Sequence, residues 1–347
     1  MAIYRVAVIG CGSRSVPHIK AYQHIRRAKV VACCDPDKAR REKIAADFGV
    51  MPYAEAAEMI RNEKPDLVHN VTWPSLRVPL MTLMADLGVP AATVEKPIAT
   101  GVADWRALVE LERRAPTRFA VCHQFRWQPH LVKCRQALAS GRLGKVLLVD
   151  ASAGGNISGQ GTHILNYAMS LNGDSPIVRV FGAASGDQEM KTAHPGPDTT
   201  VGLVTFANGV RCLWNNGPTA PVCGEPKTTW QHVRVAAYAE RGRVLWEEFG
   251  RWEIVGPGGL EDSGDYGGTD TWMANNLRAQ AAFHEAMFDW LEDDRKVPGT
   301  SLAQSLHEWK AVLALYASAV GRRPVELGSF DPPPDLFDRL AKALAEN

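Results

Sequence analysis

The chain has 347 residues, enough for two domains of about 150 residues that each bury a core. Hydrophobic residues at 46% and charged residues at 22% are ordinary for a soluble globular chain, and no apolar run approaches the roughly 20 residues that span a bilayer. The 39 basic and 38 acidic residues leave a net charge of +1, so no global field draws in nucleic acid or an anionic membrane, and neither is expected as a partner.

Met1 to Gly10 runs straight into an apolar strand without signal-peptide anatomy, which predicts a cytoplasmic protein. Tyr4–Gly10, Val30–Asp35, Leu67–Thr72 and Ala91–Glu95 are short, rich in β-branched residues and not alternating, the pattern of buried parallel strands. Helices are expected between and after them at Val16–Ile25, Lys38–Phe48, Ala54–Glu63, Leu76–Leu87 and Ala103–Glu112. This alternation predicts a doubly wound α/β parallel sheet over residues 1–122. Beyond Phe119–Cys122 a helix is expected at Pro129–Ser140, and then strands accumulate: Lys145–Ala151, Thr199–Phe206, Val210–Trp214, His232–Ala239 and Arg243–Phe249. Asn208-Gly209 is a hairpin turn signal. An α+β domain with a largely antiparallel sheet is therefore expected over 123–330. Within it Gly256–Gly268 reads as a surface loop, and the second of two following helices carries an apolar stripe from Leu302 to Val320. Pro332-Pro333-Pro334 separates a short amphipathic tail, 331–347.

The seven cysteines are odd in number and lack zinc spacing, so they read as reduced, buried small hydrophobes, and no metal is expected. The ten Trp outnumber the seven Tyr, and most lie beyond residue 120. They supply either a large core or aromatic walls for a sugar, and composition does not choose between these.

Gly10-Cys11-Gly12-Ser13-Arg14-Ser15 follows the first strand and opens a helix, the context of a dinucleotide fingerprint: the first Gly for the tight turn, the second for backbone approach to a pyrophosphate. Ser15 stands where a third Gly is usual and is still small. Asp35 ends the second strand where a carboxylate accepts from the adenosine ribose and repels a 2′-phosphate, which favours NAD over NADP. Lys38, Arg40 and Arg41 nearby are able to receive such a phosphate, and Asp35-Pro36-Asp37 also reads as a helix cap. Glu95-Lys96-Pro97 falls at the carboxyl edge of a strand, where open α/β sheets bind ligands. A Lys beside a cationic ring suits general acid–base work, whereas a surface Lys paired with its neighbour is the structural alternative.

The fingerprint, Asp35, the turn Thr72-Trp73-Pro74, Glu95-Lys96-Pro97, Arg126 with Pro129, and the ending Tyr316–Ala319 with Gly321–Leu327 together resemble the glucose-fructose oxidoreductase / inositol dehydrogenase / MocA (Gfo/Idh/MocA) family over roughly residues 3 to 327. The resemblance implies an N-terminal Rossmann domain and a C-terminal α+β domain whose open sheet forms a homo-oligomer interface. It also implies NAD(P)-dependent chemistry on a pyranose, pyranoside or cyclic polyol.

The family's Asp-x-Gly-x-His segment, with a further Asp three residues on, reads here Gly159-Gln160-Gly161-Thr162-His163-Ile164-Leu165-Asn166, so both acids are replaced. By resemblance Lys96 and His163 are catalytic. Gly10, Cys11, Gly12, Ser13, Arg14, Asp35, Thr72, Trp73, Pro74, Glu95, Lys96 and Gln124 bind the cofactor, with His123 also at its nicotinamide end. Arg126, Trp127, Gln160, His163, Asn166 and Lys96 bind the substrate. Arg126 serves equally well as an ion pair between domains. Trp73, Trp127, Trp214, Trp230 and Trp272 are candidate stacking platforms, Trp290 and Trp309 are assigned to packing, and His18 is read as helix packing. An Asp before His163 would orient its ring and favour its charged form; Gly159 does neither. Two alternatives accompany the dehydrogenase reading: a glycoside hydrolase that oxidises C3 transiently and re-reduces it, and a non-catalytic cofactor-sensing regulator.

Overall fold

The computed structural model describes residues 3–221, 232–266 and 269–346. They form two compact units: Met1–Ala99 with Arg106–Trp127 and Ala274–Ser305, and Thr100–Trp105 with Gln128–Met273 and Leu306–Asn347. The first therefore takes in a stretch far beyond residue 122.

In the first unit β1 (Tyr4–Ile9), α1 (Ser15–Lys20), β2 (Ala28–Cys34), α2 (Lys38–Phe48), β3 (Met51–Tyr53), α3 (Ala56–Glu63), β4 (Leu67–Asn70), α4 (Arg77–Asp86), β5 (Ala91–Val94), α5 (Val102–Arg114) and β6 (Arg118–Val121) alternate. α5 begins in the second unit. The six strands lie in the order β3-β2-β1-β4-β5-β6, and every neighbouring pair is parallel. This is the Rossmann order, with its switch point between β1 and β4. Strands covered on both faces account for the unbroken apolar runs: Val6, Leu67, Ala91 and Ala120 pack with Phe283, Met287 and Phe288, while Val8, Cys33 and Val71 pack with Ile19 and Ile44. α2 starts where the Asp37 side chain accepts from Arg40 N and stops at Gly49, which is left-handed at φ 66°. β3 was not expected; it is a three-residue edge strand containing Pro52, which only an edge tolerates. The helix expected over Val16–Ile25 tightens into a 3₁₀ turn at Ala21–His24.

The second unit continues with α6 (Pro129–Ala139), β7 (Val146–Ala153), α7 (Thr162–Leu171), β8 (Ile177–Ser185), β9 (Thr199–Phe206), β10 (Arg211–Asn216), β11 (Val233–Ala239), β12 (Gly242–Glu247), β13 (Arg251–Gly256) and β14 (Gly259–Asp265). Then come α8 (Thr269–Glu292), whose residues from Ala274 onward belong to the first unit, α9 (Leu302–Gly321), β15 (Val325–Glu326) and α10 (Leu336–Ala345). Among the described residues the sheet has nine strands in the order β14-β13-β12-β11-β7-β10-β9-β8-β15. Among these described strands only β7 and β10 are parallel neighbours; the other pairs are antiparallel. Asn208-Gly209 does turn β9 into β10, with Gly209 at φ 86°.

The loop expected over Gly256–Gly268 is not one. Its described part is the turn and second strand of the β13–β14 hairpin, with Gly259 at φ 108°, and Gly267-Gly268 lies outside the described residues. The glycines misled because one serves packing: a Cβ on Gly264 would sit 2.5 Å from the Trp252 ring. The tail is α10, with Leu336, Leu340 and Leu344 buried and Phe337 edge-on to Tyr316.

Candidate active site

The glycine turn leaves β1 at the switch point. Gly10 has φ 94°, and a Cβ there would lie 2.3 Å from Val71 O, so the turn requires glycine. No atom lies within 4 Å of where a Gly12 Cβ would be, which leaves its backbone open to approach. Ser15 is buried and its hydroxyl donates to Gly12 O at 2.7 Å, locking the turn, while Ser13 is exposed. Asp35 closes β2 with both oxygens engaged: Oδ2 accepts from Cys11 N at 2.8 Å and Oδ1 from Asp37 N at 2.9 Å. A carboxylate has about four acceptor positions, so two remain for ribose hydroxyls. Of the nearby basic groups, Arg41 donates to Asp35 O and Pro36 O, while Arg40 and Lys38 pair with Asp37 and Glu42. An open glycine backbone beside a strand-end carboxylate fits a dinucleotide.

At the end of β5, Glu95 is buried and its Oε1 accepts from Arg14 Nε at 2.9 Å and His18 Nε2 at 2.8 Å. Burial pushes this carboxyl up. The Arg14 charge, the His18 hydrogen bond and then the His18 and Lys96 charges outweigh it and hold Glu95 well below the usual carboxylate range. His18, read from sequence as packing, is buried and is also this carboxylate's partner. Arg77, likewise buried, donates from Nε to Glu95 O at 2.8 Å and from Nη1 to Thr72 O at 2.7 Å, tying the Thr72-Trp73-Pro74 turn to the end of β5. Burial lowers the Arg77 pKa to about 10. Thr72 donates to Asn70 Oδ1, Pro74 is buried, and Trp73 stands 64% exposed.

Lys96 follows, half-buried, with a cis bond to Pro97. His123 is buried; burial first, and then the positive charges of Lys96 and Arg126, lower its pKa to about 3, so it is neutral. Gln124 and Arg126 are buried as well, and a Cβ on Gly299 would touch the Arg126 guanidinium. Trp127 packs on Phe283, with ring centroids 5.0 Å apart. Behind Glu95, the buried His284 stacks on both His18 and His69, and burial lowers all three pKa values. Sequence reasoning missed this cluster and Arg77, because nothing local distinguishes a buried His or Arg from an exposed one.

In the second unit a single π-helical turn, Ile157–Gly161, precedes α7. Asn156 caps it, accepting from Gly159 N at 2.7 Å and donating to His194 O at 2.9 Å. The Gln160 amide oxygen accepts from Gly155 N at 2.7 Å, and Trp214 Nε1 donates to Gly161 O at 3.1 Å. His163 is 8% exposed, with Nδ1 3.1 Å from the Tyr167 hydroxyl. Asn166 is fully buried and donates to Glu308 at 2.7 Å.

Trp214 and Trp309 are fully buried, Trp272 stacks on Phe249 at 4.2 Å, Trp290 packs into the first unit's core, and Trp230 lies outside the described residues. Most of the tryptophan excess therefore fills cores.

A parallel sheet in this order, with an open glycine turn and a strand-end acid at its switch point, defines a dinucleotide-binding domain, here in one chain with a large mixed sheet. Residues 4–123 match the family model described as oxidoreductase family, NAD-binding Rossmann fold (GFO_IDH_MocA). The chain is 34% identical over 225 residues to a D-apiose dehydrogenase of Paraburkholderia graminis, a match that covers 60% of this chain and only 58% of that protein. It is 25% identical over 345 residues to a D-apiose dehydrogenase of Rhizobium rhizogenes, covering 93% and 97% of the two. An oxidoreductase from Agrobacterium radiobacter, solved in complex with NAD+, L-tartaric acid and magnesium, shares the fold with a TM-score of 0.79 at 23% identity, over 94% of this chain and 99% of that one. By the family-model match over residues 4–123 and by these relatives, the chain is similar to the Gfo/Idh/MocA oxidoreductases.

Proposed function

We propose that the protein is an NAD-dependent dehydrogenase that moves hydride between NAD and a secondary hydroxyl or ketone of a sugar, glycoside or cyclic polyol. The observation that carries this reading is the arrangement at the sheet's carboxyl edge: Lys96 follows a Glu95 held as a carboxylate by Arg14 and His18, in the unit that carries the open Gly12 turn and Asp35. Two relatives named D-apiose dehydrogenase and a fold relative solved with NAD+ support it.

Gly10–Arg14 and Asp35 hold the cofactor, and Thr72-Trp73-Pro74, braced by Arg77, flanks it. NAD, when bound, supplies the hydride acceptor. Lys96 takes the hydroxyl proton during oxidation and returns it during reduction. Glu95 stays ionised and offsets the positive charge beside it, so Lys96 can cycle between protonation states without stranding a buried charge. His163 hydrogen-bonds the substrate oxygen.

The sheet of the second unit supports self-association. Leu213 of β10 pairs with Leu203 of β9, which pairs with Phe181 of β8, and these three with Val201 are 37–52% exposed. Such a continuous apolar row on one sheet face suits a second copy of the chain.

The test is incubation with NAD and a panel of aldoses, polyols and aryl glycosides, following NADH and aglycone together. Substrate-dependent NADH that falls by about 10²-fold or more in Lys96→Ala, with NAD affinity retained, supports the reading. Aglycone release without net NADH points instead to redox-neutral glycoside cleavage, and unchanged turnover in Lys96→Ala refutes the role given to Lys96.

A further inference from the structure

We propose that Tyr167 is the positioning residue for His163, taking over the orienting task that an acid performs in the motif this segment resembles. The proposal rests on the catalytic reading of His163.

Three observations carry it. First, the position four residues before His163 is tight for a side chain: a Cβ on Gly159 would lie 3.0 Å from Asn156 Oδ1, the atom that caps the π turn through Gly159 N. An acid restored there requires the Asn156 cap to give by a few tenths of an ångström. Second, Asn166 stands where the motif has its second acid, and its amide donates to the Glu308 carboxylate at 2.7 Å in the buried core. Third, Tyr167 lies one helical turn beyond His163 on α7, and its hydroxyl is 3.1 Å from His163 Nδ1 with the two rings stacked at 5.8 Å. Tyr167 is fully buried, and Trp246 meets it edge-on at 5.9 Å. The Trp246 indole in turn donates to Gln128 Oε1 at 3.0 Å and to the Tyr266 hydroxyl at 2.9 Å, so the phenol is braced from behind.

A tyrosine differs from an aspartate in what it does to the imidazole. It fixes the ring and selects a tautomer through Nδ1, but as a neutral hydroxyl it adds no charge that favours imidazolium. His163 is thereby aimed through Nε2 as a hydrogen-bonding group, and the proton inventory of the reaction stays with Lys96.

Tyr167→Phe keeps the ring against Trp246 and removes only the hydroxyl. The expected result is a fall of about tenfold in kcat with KM and NAD affinity unchanged, because the ground-state contacts survive. In a His163→Ala background the same change should alter kcat less than about twofold, since there is no ring left to orient. An independent readout uses ¹⁵N-histidine labelling and long-range proton–nitrogen spectra, with the His163 signals assigned by their loss in His163→Ala. One tautomer is expected for His163 in the native protein and a mixture in Tyr167→Phe. An unchanged His163 spectrum in Tyr167→Phe, or equal losses of kcat in the two backgrounds, overturns the proposal. Unchanged turnover in His163→Ala overturns instead the catalytic reading on which it rests, and the spectra still report whether the orienting bond exists.

Discussion

Lowering the pH from about 7 to about 5 should destabilise the first unit through its buried histidines, and His123 sets the scale. In the folded chain its pKa is lowered to about 3 by burial and by Lys96 and Arg126. In the unfolded chain it titrates near 6.5. The unfolded state therefore binds a proton that the folded state refuses, and stability falls as the pH drops below about 6.5. At 1.36 kcal/mol per unit, the term for this one residue reaches about 2 kcal/mol at pH 5. Burial also lowers the pKa values of His18, His69 and His284, so each adds a term of the same sign. Glu95 acts in a separate window. Its depressed pKa contributes stability that is fully present above about 4.5 and is lost only as the pH falls further toward its folded value. Urea unfolding of the native protein and of His123→Gln, each at about pH 7 and pH 5, isolates the effect. The native protein should lose more stability over that interval than the variant does, by about 2 kcal/mol. Equal pH dependence in the two proteins would show that His123 is protonated when folded, and the reasoning would fail.

Gly10→Ala forces a Cβ to within 2.3 Å of Val71 O at a φ of 94° and should cost about 2 kcal/mol or more, read as a lower Tm together with weaker NAD binding; an unchanged Tm refutes the turn geometry. A Phe181→Glu/Leu213→Glu double variant places like charges on the exposed row of the nine-stranded sheet and should yield monomers by light scattering with thermal stability of the first unit unaltered; an unchanged assembly mass would mean that the chain does not associate through this face.

What the sequence made legible follows the range over which the controlling physics acts. The first unit's strands, the Gly10–Ser15 turn, the Asp37 cap and the Asn208-Gly209 hairpin are local: a run of β-branched residues, a positive φ or a capping oxygen is decided within a few residues. α7 was not expected, although it carries His163 and although Thr162, His163, Asn166 and Ser170 recur at three- and four-residue steps; all ten of its residues are buried, so this polar stripe is set against protein rather than solvent. The β13–β14 hairpin was hidden by glycines, one of which serves to admit the Trp252 ring. The site divides in the same way. Lys96 and His163 stand in recognisable strings, but the groups that set their surroundings do not: His18 reaches Glu95 across 77 positions, and Glu308 reaches Asn166 across 142. Neither partner has a local signature, since a buried His or Glu is chosen by the cavity it fills. Tyr167 is the intermediate case. It lies only four residues from His163, a spacing that is visible in the sequence, yet its meaning depends on α7 being helical, which brings its hydroxyl to His163 Nδ1. Loss of the motif's acid therefore reads in sequence as a weakened site, whereas the folded chain brings the Tyr167 hydroxyl to 3.1 Å from Nδ1 of the same histidine.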